Sequence, residues 1–151
     1  MTFEIWFSVA GIAAMLGWLT LLVSPLIPRW SDRIAGSILP ISLSLGYVAL
    51  VVVPSSSSEG GFGTLAEVIK LFSHEQAALA GWVHFLAFDL FVGAWICRTA
   101  RAEAISFWLV APILLLTFMF GPAGLLAFWV VRSGVWVKSA RKSAETSEVV
   151  P

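Results

Sequence analysis

The sequence predicts an all-α polytopic membrane protein, a transmembrane four-helix bundle, on three observations. Apolar residues make up 59% of the 151 positions and charged residues 12%, against roughly 45–50% and about 25% in soluble domains. Four apolar runs are long enough to cross a hydrocarbon core of ~30 Å. Each run is bounded by proline or by a polar, charged stretch. So much of the chain lies in spans that residues 1–137 form one transmembrane domain, with no room for a separate soluble catalytic domain. The formal net charge is zero and no basic run is long enough to hold nucleic acid, which leaves the lipid bilayer as the first partner. Cys97 is the only cysteine, so an intrachain disulfide and thiolate clusters are both excluded.

The first span covers about residues 3–24. The chain begins Met-Thr-Phe-Glu without the basic leader of a signal peptide, so this run is read as a retained helix that stops at Pro25 and Pro28. The second span covers 34–53, carries Pro40, Ser42, Ser44, Gly46 and Tyr47, and ends at Pro54. A polar, glycine-rich connector, SSSSEGGFG, follows. After it, Thr64 to Phe72 places Leu65, Val68, Ile69 and Phe72 at helical spacing, which reads as a short interfacial helix lying on the bilayer, a lid over the bundle, or a helical lead-in to the next span. The third span covers 76–97 and the fourth 105–131. Gly121-Pro122 sits in the middle of the fourth, and a break is expected there because Pro122 removes an amide hydrogen and Gly121 lets the chain bend. A split of this run into a re-entrant pair is the alternative. Residues 138–151, KSARKSAETSEVVP, read as a polar disordered tail.

The third span holds the residues most suggestive of chemistry. An ionisable group at the centre of a membrane helix costs ~2.5–3.5 kcal/mol on insertion scales, so His84 and Asp89 are expected to face protein or water. On a helical wheel Phe85, Phe88, Val92 and Trp95 share one face, with His84 and Asp89 on opposite edges of it, about 140° apart. That arrangement suits an aromatic-floored cavity flanked by two protic groups. Burial disfavours charge, so Asp89 is the expected general acid and His84 the expected base. Each residue can equally serve as a hydrogen-bond partner between helices, Asp89 to Tyr47 or Thr117 for example. Trp82 and Trp95 are the tryptophans expected at a cavity, the others being interfacial anchors. At the break, Thr117, Phe120, Gly121 and Pro122 can present a hydroxyl and a freed carbonyl to the same site. His74 and His84 lie about 15 Å apart along one helix, too far to share a metal ion or a haem iron, and neither a metal nor another cofactor is expected.

Two segments carry a resemblance. AGWVHFLAFDLF (Ala80 to Phe91) and TFMFGPAGLL (Thr117 to Leu126) resemble the paired signatures of the abscisic-acid-deficient-4-like family, whose plant members are neoxanthin synthases. The match covers nearly all of residues 3–132 and is strongest in the third and fourth runs. By position, Trp82, His84, Asp89, Leu90 and Phe91 fall on the first motif, and Phe120, Gly121, Pro122, Gly124, Leu125 and Leu126 on the second. The resemblance implies a membrane protein concerned with converting violaxanthin, a carotenoid epoxide, into an allenic xanthophyll. That reaction needs an acid at the epoxide oxygen and a base for a C–H proton, without a redox cofactor. The expected ligand is therefore a carotenoid or other hydrophobic isoprenoid, the expected partners are a second enzyme or further copies of the chain, and the expected location is a bacterial cytoplasmic membrane. A non-catalytic membrane module that binds a pigment or lipid, or assists a partner enzyme, is the competing reading.

Overall fold

Run length and proline position decide where this chain is helical. The computed structural model describes residues 3–53 and 60–148, with side chains as far as Lys138. Among the described residues the elements are all helical: α1 (Phe3–Leu22), α2 (Pro28–Val52), α3 (Leu65–Phe72), α4 (Glu75–Ala102), α5 (Phe107–Phe120) and α6 (Pro122–Glu148). Helices α1, α2 and α4 are long and apolar enough to cross a membrane, and α5 is a shorter apolar helix. Two compact units divide the chain, Met1–Phe91 and Val92–Pro151, and α4 runs through the boundary.

In the first unit, small residues let helices approach closely. Ala10 and Ala14 of α1 join Leu43 of α2 and Leu79, Val83, Leu86 and Ala87 of α4 in one core. At Gly17 an added Cβ would stand 2.6 Å from Leu90 Cδ2, so glycine is what allows the fully buried Leu90 to seat against α1. The opposite side of α1 is equally apolar but exposed, with Ile12 63%, Leu16 54% and Leu19 55% accessible. A helix hydrophobic all round belongs in lipid. Hydroxyls within these helices bond back to their own backbone, Thr20 Oγ1 donating to the Gly17 carbonyl and Ser44 Oγ to that of Pro40, each at 2.8 Å.

Helix α2 begins six residues before the expected start at residue 34. Pro28 acts as the first helical residue, where a missing amide hydrogen costs nothing, rather than only as a stop for α1. The helix then widens into a π-turn over Ile34–Ile38, with the Leu39 amide donating to the Ile34 carbonyl. Pro40 explains the widening: it cannot donate to the Gly36 carbonyl, and its ring would collide with that carbonyl in a regular α-turn. Helix α4 extends five residues beyond the expected end at Cys97.

The expected break at Gly121-Pro122 is present and divides the fourth run. Residues 105–131 hold two helices, α5 and α6, that meet at Gly121 and pack against one another. The 14 residues of α5 rise only ~21 Å. Gly121 takes φ 19° and ψ −82°, and Pro122 starts α6 at the position proline tolerates best. Gly124 completes the turn, since an added Cβ would stand 2.5 Å from both N and Cα of Thr117. In a straight helix those residues would be ~10 Å apart. The tail expected to be disordered from residue 138 is instead helical as far as Glu148, carried by the helix-forming Ala, Lys, Arg and Glu it contains; residues 149–151 lie outside the described residues, as does 54–59 of the expected flexible connector.

Candidate functional site

Helix α3 is built to stay on the surface. Thr64 caps it by accepting from the Glu67 amide at 3.2 Å, and Glu67 reaches back to accept from the Gly63 amide at 3.1 Å, a close variant of the capping box. Gly60, at φ 123°, brings the incoming strand of chain against α3: an added Cβ there would stand 2.6 Å from the Leu71 amide nitrogen. None of the α3 residues is fully buried, and Leu65 and Ile69 are largely exposed. Phe72 is the exception in function, because its ring lies over Gly81 of α4, where an added Cβ would come within 2.5 Å of Cε1.

That contact closes one side of a groove of about 500 Å³. Its walls are Tyr47, Leu50, Val51 and Val53 from the end of α2, Phe62, Leu71 and Phe72 from the α3 region, and His74, Gln76, Ala77, Ala80, Gly81 and His84 from the start of α4. Gln76 ties the mouth together, its Nε2 donating to the carbonyls of Leu50 at 2.6 Å and Val53 at 2.9 Å. Leu50 lies in the last turn of α2 and Val53 follows its end, where a helix runs out of amide partners for its carbonyls. The imidazole of His84 meets two rings, 5.4 Å from Tyr47 and 4.6 Å from Phe88 between centroids.

The residues expected to form one site fall into several settings. His84 lines the groove and Phe88, one turn on, stacks on it. Asp89 is buried, is not part of the groove wall, and leaves Oδ2 without a hydrogen-bond partner among the described residues. Trp82 and Phe85 stack on each other at 5.9 Å, and Trp82 also meets Phe7 of α1 at 5.5 Å. In the second unit Val92 is half-buried, while Trp95 packs edge-on against Phe128 at 5.5 Å and lies 6.1 Å from Trp129. Thr117 is fully buried with its hydroxyl donating to the Ile113 carbonyl at 2.8 Å, so that hydroxyl is already engaged. Phe120 is exposed, and Gly121 and Pro122 form the turn itself. Among the described residues no three His, Cys, Asp or Glu side chains gather as metal ligands.

Several groove residues were not prominent in the sequence. Tyr47 stood out only as a hydrogen-bond partner for Asp89, Phe72 only as part of the apolar face of a short helix and Gln76 only as the start of the third span, while Phe62 did not stand out. One signal was available: Tyr47 is the single tyrosine of the chain, in a run otherwise made of small and aliphatic residues.

The second unit has its own polar centre outside the groove. Arg132 donates through Nε and Nη2 to both carboxylate oxygens of Glu103, and its guanidinium lies over the rings of Trp129 and Trp136 at 4.7 and 4.8 Å. Charge-assisted bidentate bonding and two aromatic faces fix the arginine. Glu103 follows the end of α4, and its hydrogen bond to Arg132 holds the carboxyl below the usual carboxylate range. The turn there is a Schellman motif: the Ile105 amide donates to the Ala100 carbonyl at 2.8 Å and the Ala104 amide to that of Arg101 at 3.3 Å, with Ala104 at φ 54°.

Comparison with curated proteins and with solved structures found no match. The family model described as ABA DEFICIENT 4-like matches residues 5–128. That stretch takes in both signature segments, the whole groove and the α5–α6 turn. The chain therefore belongs to the ABA DEFICIENT 4-like family of membrane proteins.

Proposed function

We propose that this protein binds a carotenoid or a related isoprenoid in the groove between α2, α3 and α4, and isomerises it by acid and base chemistry of the epoxide-opening type. The observation that carries this reading is the groove itself, about 500 Å³ with mostly apolar walls and a histidine inside it. Sites for small hydrophobic ligands have this character, ~300–1,000 Å³ of apolar wall with a few polar groups. That volume suits a substituted end ring with the first part of a polyene, the remainder lying along the exposed apolar helices. His84 is the base of this proposal. Its location in a bacterial cytoplasmic membrane, and a partner enzyme or second copy beside it, belong to the same proposal.

A second reading is favoured by one observation. Asp89 is not part of the groove wall, which suits a protein that holds its ligand without the expected acid. Binding and catalysis are separated by purifying the protein in mild detergent, identifying co-purifying lipids and pigments by absorbance and mass spectrometry, and then following product formation from an epoxy-carotenoid. A bound isoprenoid with turnover supports the isomerase; a bound isoprenoid that is never converted supports the binding module; a protein that carries no isoprenoid and takes up none overturns both.

A further inference from the structure

We propose that Tyr47 is the proton donor that works with His84 in the groove, a catalytic residue not assigned by the motifs of the third span. This inference rests on the isomerase reading above and names the acid that reading requires.

Four protic side chains line the groove: Tyr47, His74, Gln76 and His84. Gln76 spends its amide hydrogens on the Leu50 and Val53 carbonyls, and a primary amide is in any case a poor acid. His74 precedes α4 by one residue, ten positions from His84, and the helical rise from Glu75 to His84 alone is ~13.5 Å. Tyr47 is different. Its ring and that of His84 are 5.4 Å apart between centroids, inclined at 55°, and both line the groove. Phe88 also meets the imidazole, at 4.6 Å between centroids. A ligand oxygen that reaches Tyr47 therefore brings its neighbouring carbon atoms to His84. Asp89 offers no comparable geometry, being outside the groove wall.

The step balances without a co-reactant. Tyr47 Oη gives its proton to the ligand oxygen as a C–O bond breaks and the bonding pair stays on oxygen. His84 takes a proton from carbon, and the electron pair of that C–H bond becomes the new carbon–carbon π bond toward the carbon that lost oxygen. The product is an alcohol isomeric with the substrate, and nothing is oxidised or reduced. The imidazolium and phenolate left behind are neighbours, so one proton passing between them restores the starting state.

Because Tyr47 is the only tyrosine, it can be observed alone. The full chain is placed in lipid nanodiscs with violaxanthin as the epoxy-carotenoid probe, and Tyr47→Phe is compared with the unaltered protein for bound pigment and for turnover. In parallel, 3-fluorotyrosine replaces tyrosine throughout, and the single fluorine resonance is recorded with and without pigment and in His84→Gln. The expected result is that Tyr47→Phe keeps its pigment and loses turnover by 100-fold or more, on the order of what a positioned acid contributes. The fluorine resonance should move on adding pigment and in His84→Gln. Turnover by Tyr47→Phe within threefold of the unaltered protein overturns the role of Tyr47 and leaves the isomerase reading standing. If Tyr47→Phe loses its pigment or its fold, the fluorine spectrum decides: a resonance unmoved by both pigment and His84→Gln overturns the pairing, and one moved by both supports it. An unaltered protein that binds pigment without converting it overturns the isomerase reading and this assignment together.

Discussion

Gly81→Ala sets two effects of similar size against each other, and their separation tests the groove. An added Cβ at Gly81 stands 2.5 Å from Phe72 Cε1 and 3.4 Å from Cδ1 and Cζ. Ordinary carbon–carbon contact begins near ~3.5 Å, so the ring must retreat by about 1 Å. Replacing an interior helical glycine by alanine gains ~1 kcal/mol for α4 through backbone entropy. Overpacking of a rigid core costs ~1–3 kcal/mol, but Phe72 is 45% exposed on a helix with no fully buried residue, so the cost here belongs near the low end. The two terms offset each other, and the melting temperature in detergent should change little, within ~2–4 °C. Ligand affinity should not be spared. With Phe72 displaced, one wall of the groove moves, and an isoprenoid should bind about 3- to 10-fold more weakly, equivalent to ~0.7–1.4 kcal/mol. The assay is a pigment titration by absorbance alongside thermal unfolding of the same preparation. Unchanged affinity would refute the claim that Phe72 forms part of the ligand's wall; a large loss of melting temperature would refute the claim that α3 yields easily.

Three further outcomes can be measured without a substrate. Thr64→Ala removes the cap of α3 and should cost ~1 kcal/mol locally, seen as faster amide exchange across Leu65–Phe72 with α4 unchanged. Ala104→Gly relieves a left-handed backbone at φ 54° and should stabilise the turn after α4 by ~1 kcal/mol, read as a rise in melting temperature. Glu103 titrates below its ordinary value of 4.5 because Arg132 binds its charged form; such a group stabilises the folded state above pH 4.5 and loses that contribution as pH falls through the folded value. Glu103→Gln should therefore melt with a weaker acid dependence between pH 5 and about 2 than the unaltered chain, and an identical acid profile would dissociate Glu103 from folding.

Apolar run length is a strong signal, and it located α1, α2 and α4 to within a few residues at most ends. Proline was harder to read, because one residue type does opposite things. Pro28 ends one apolar run and opens the next helix, and only the fold reveals that both occur within a short turn. Pro40 left no mark on the expected span, yet it forces a π-turn several residues before it. The α5–α6 turn was legible as a break at Gly121-Pro122, but the direction of the chain beyond it depends on Gly124 facing Thr117, a contact between two helices that no single-helix pattern contains. The same division runs through the site. Helical spacing set His84 beside Phe88 and away from Asp89, since those relations lie within α4. The groove needs Tyr47 from α2 and Phe72 from α3, and contacts between separate elements are not written in the periodicity of either.

The two hydrogen bonds from Gln76 to the Leu50 and Val53 carbonyls put the entrance of the groove under the control of one side chain. Gln76 belongs to the first turn of α4, while its acceptors lie in the last turn of α2 and in the residue after it, so a single substitution loosens two elements at once. Glutamate is the sharpest case, because it keeps the size of the side chain, gives up both donors and turns a carboxylate toward two carbonyl oxygens. What the groove admits is thus tuned at one position, by the hydrogen-bonding character of a side chain.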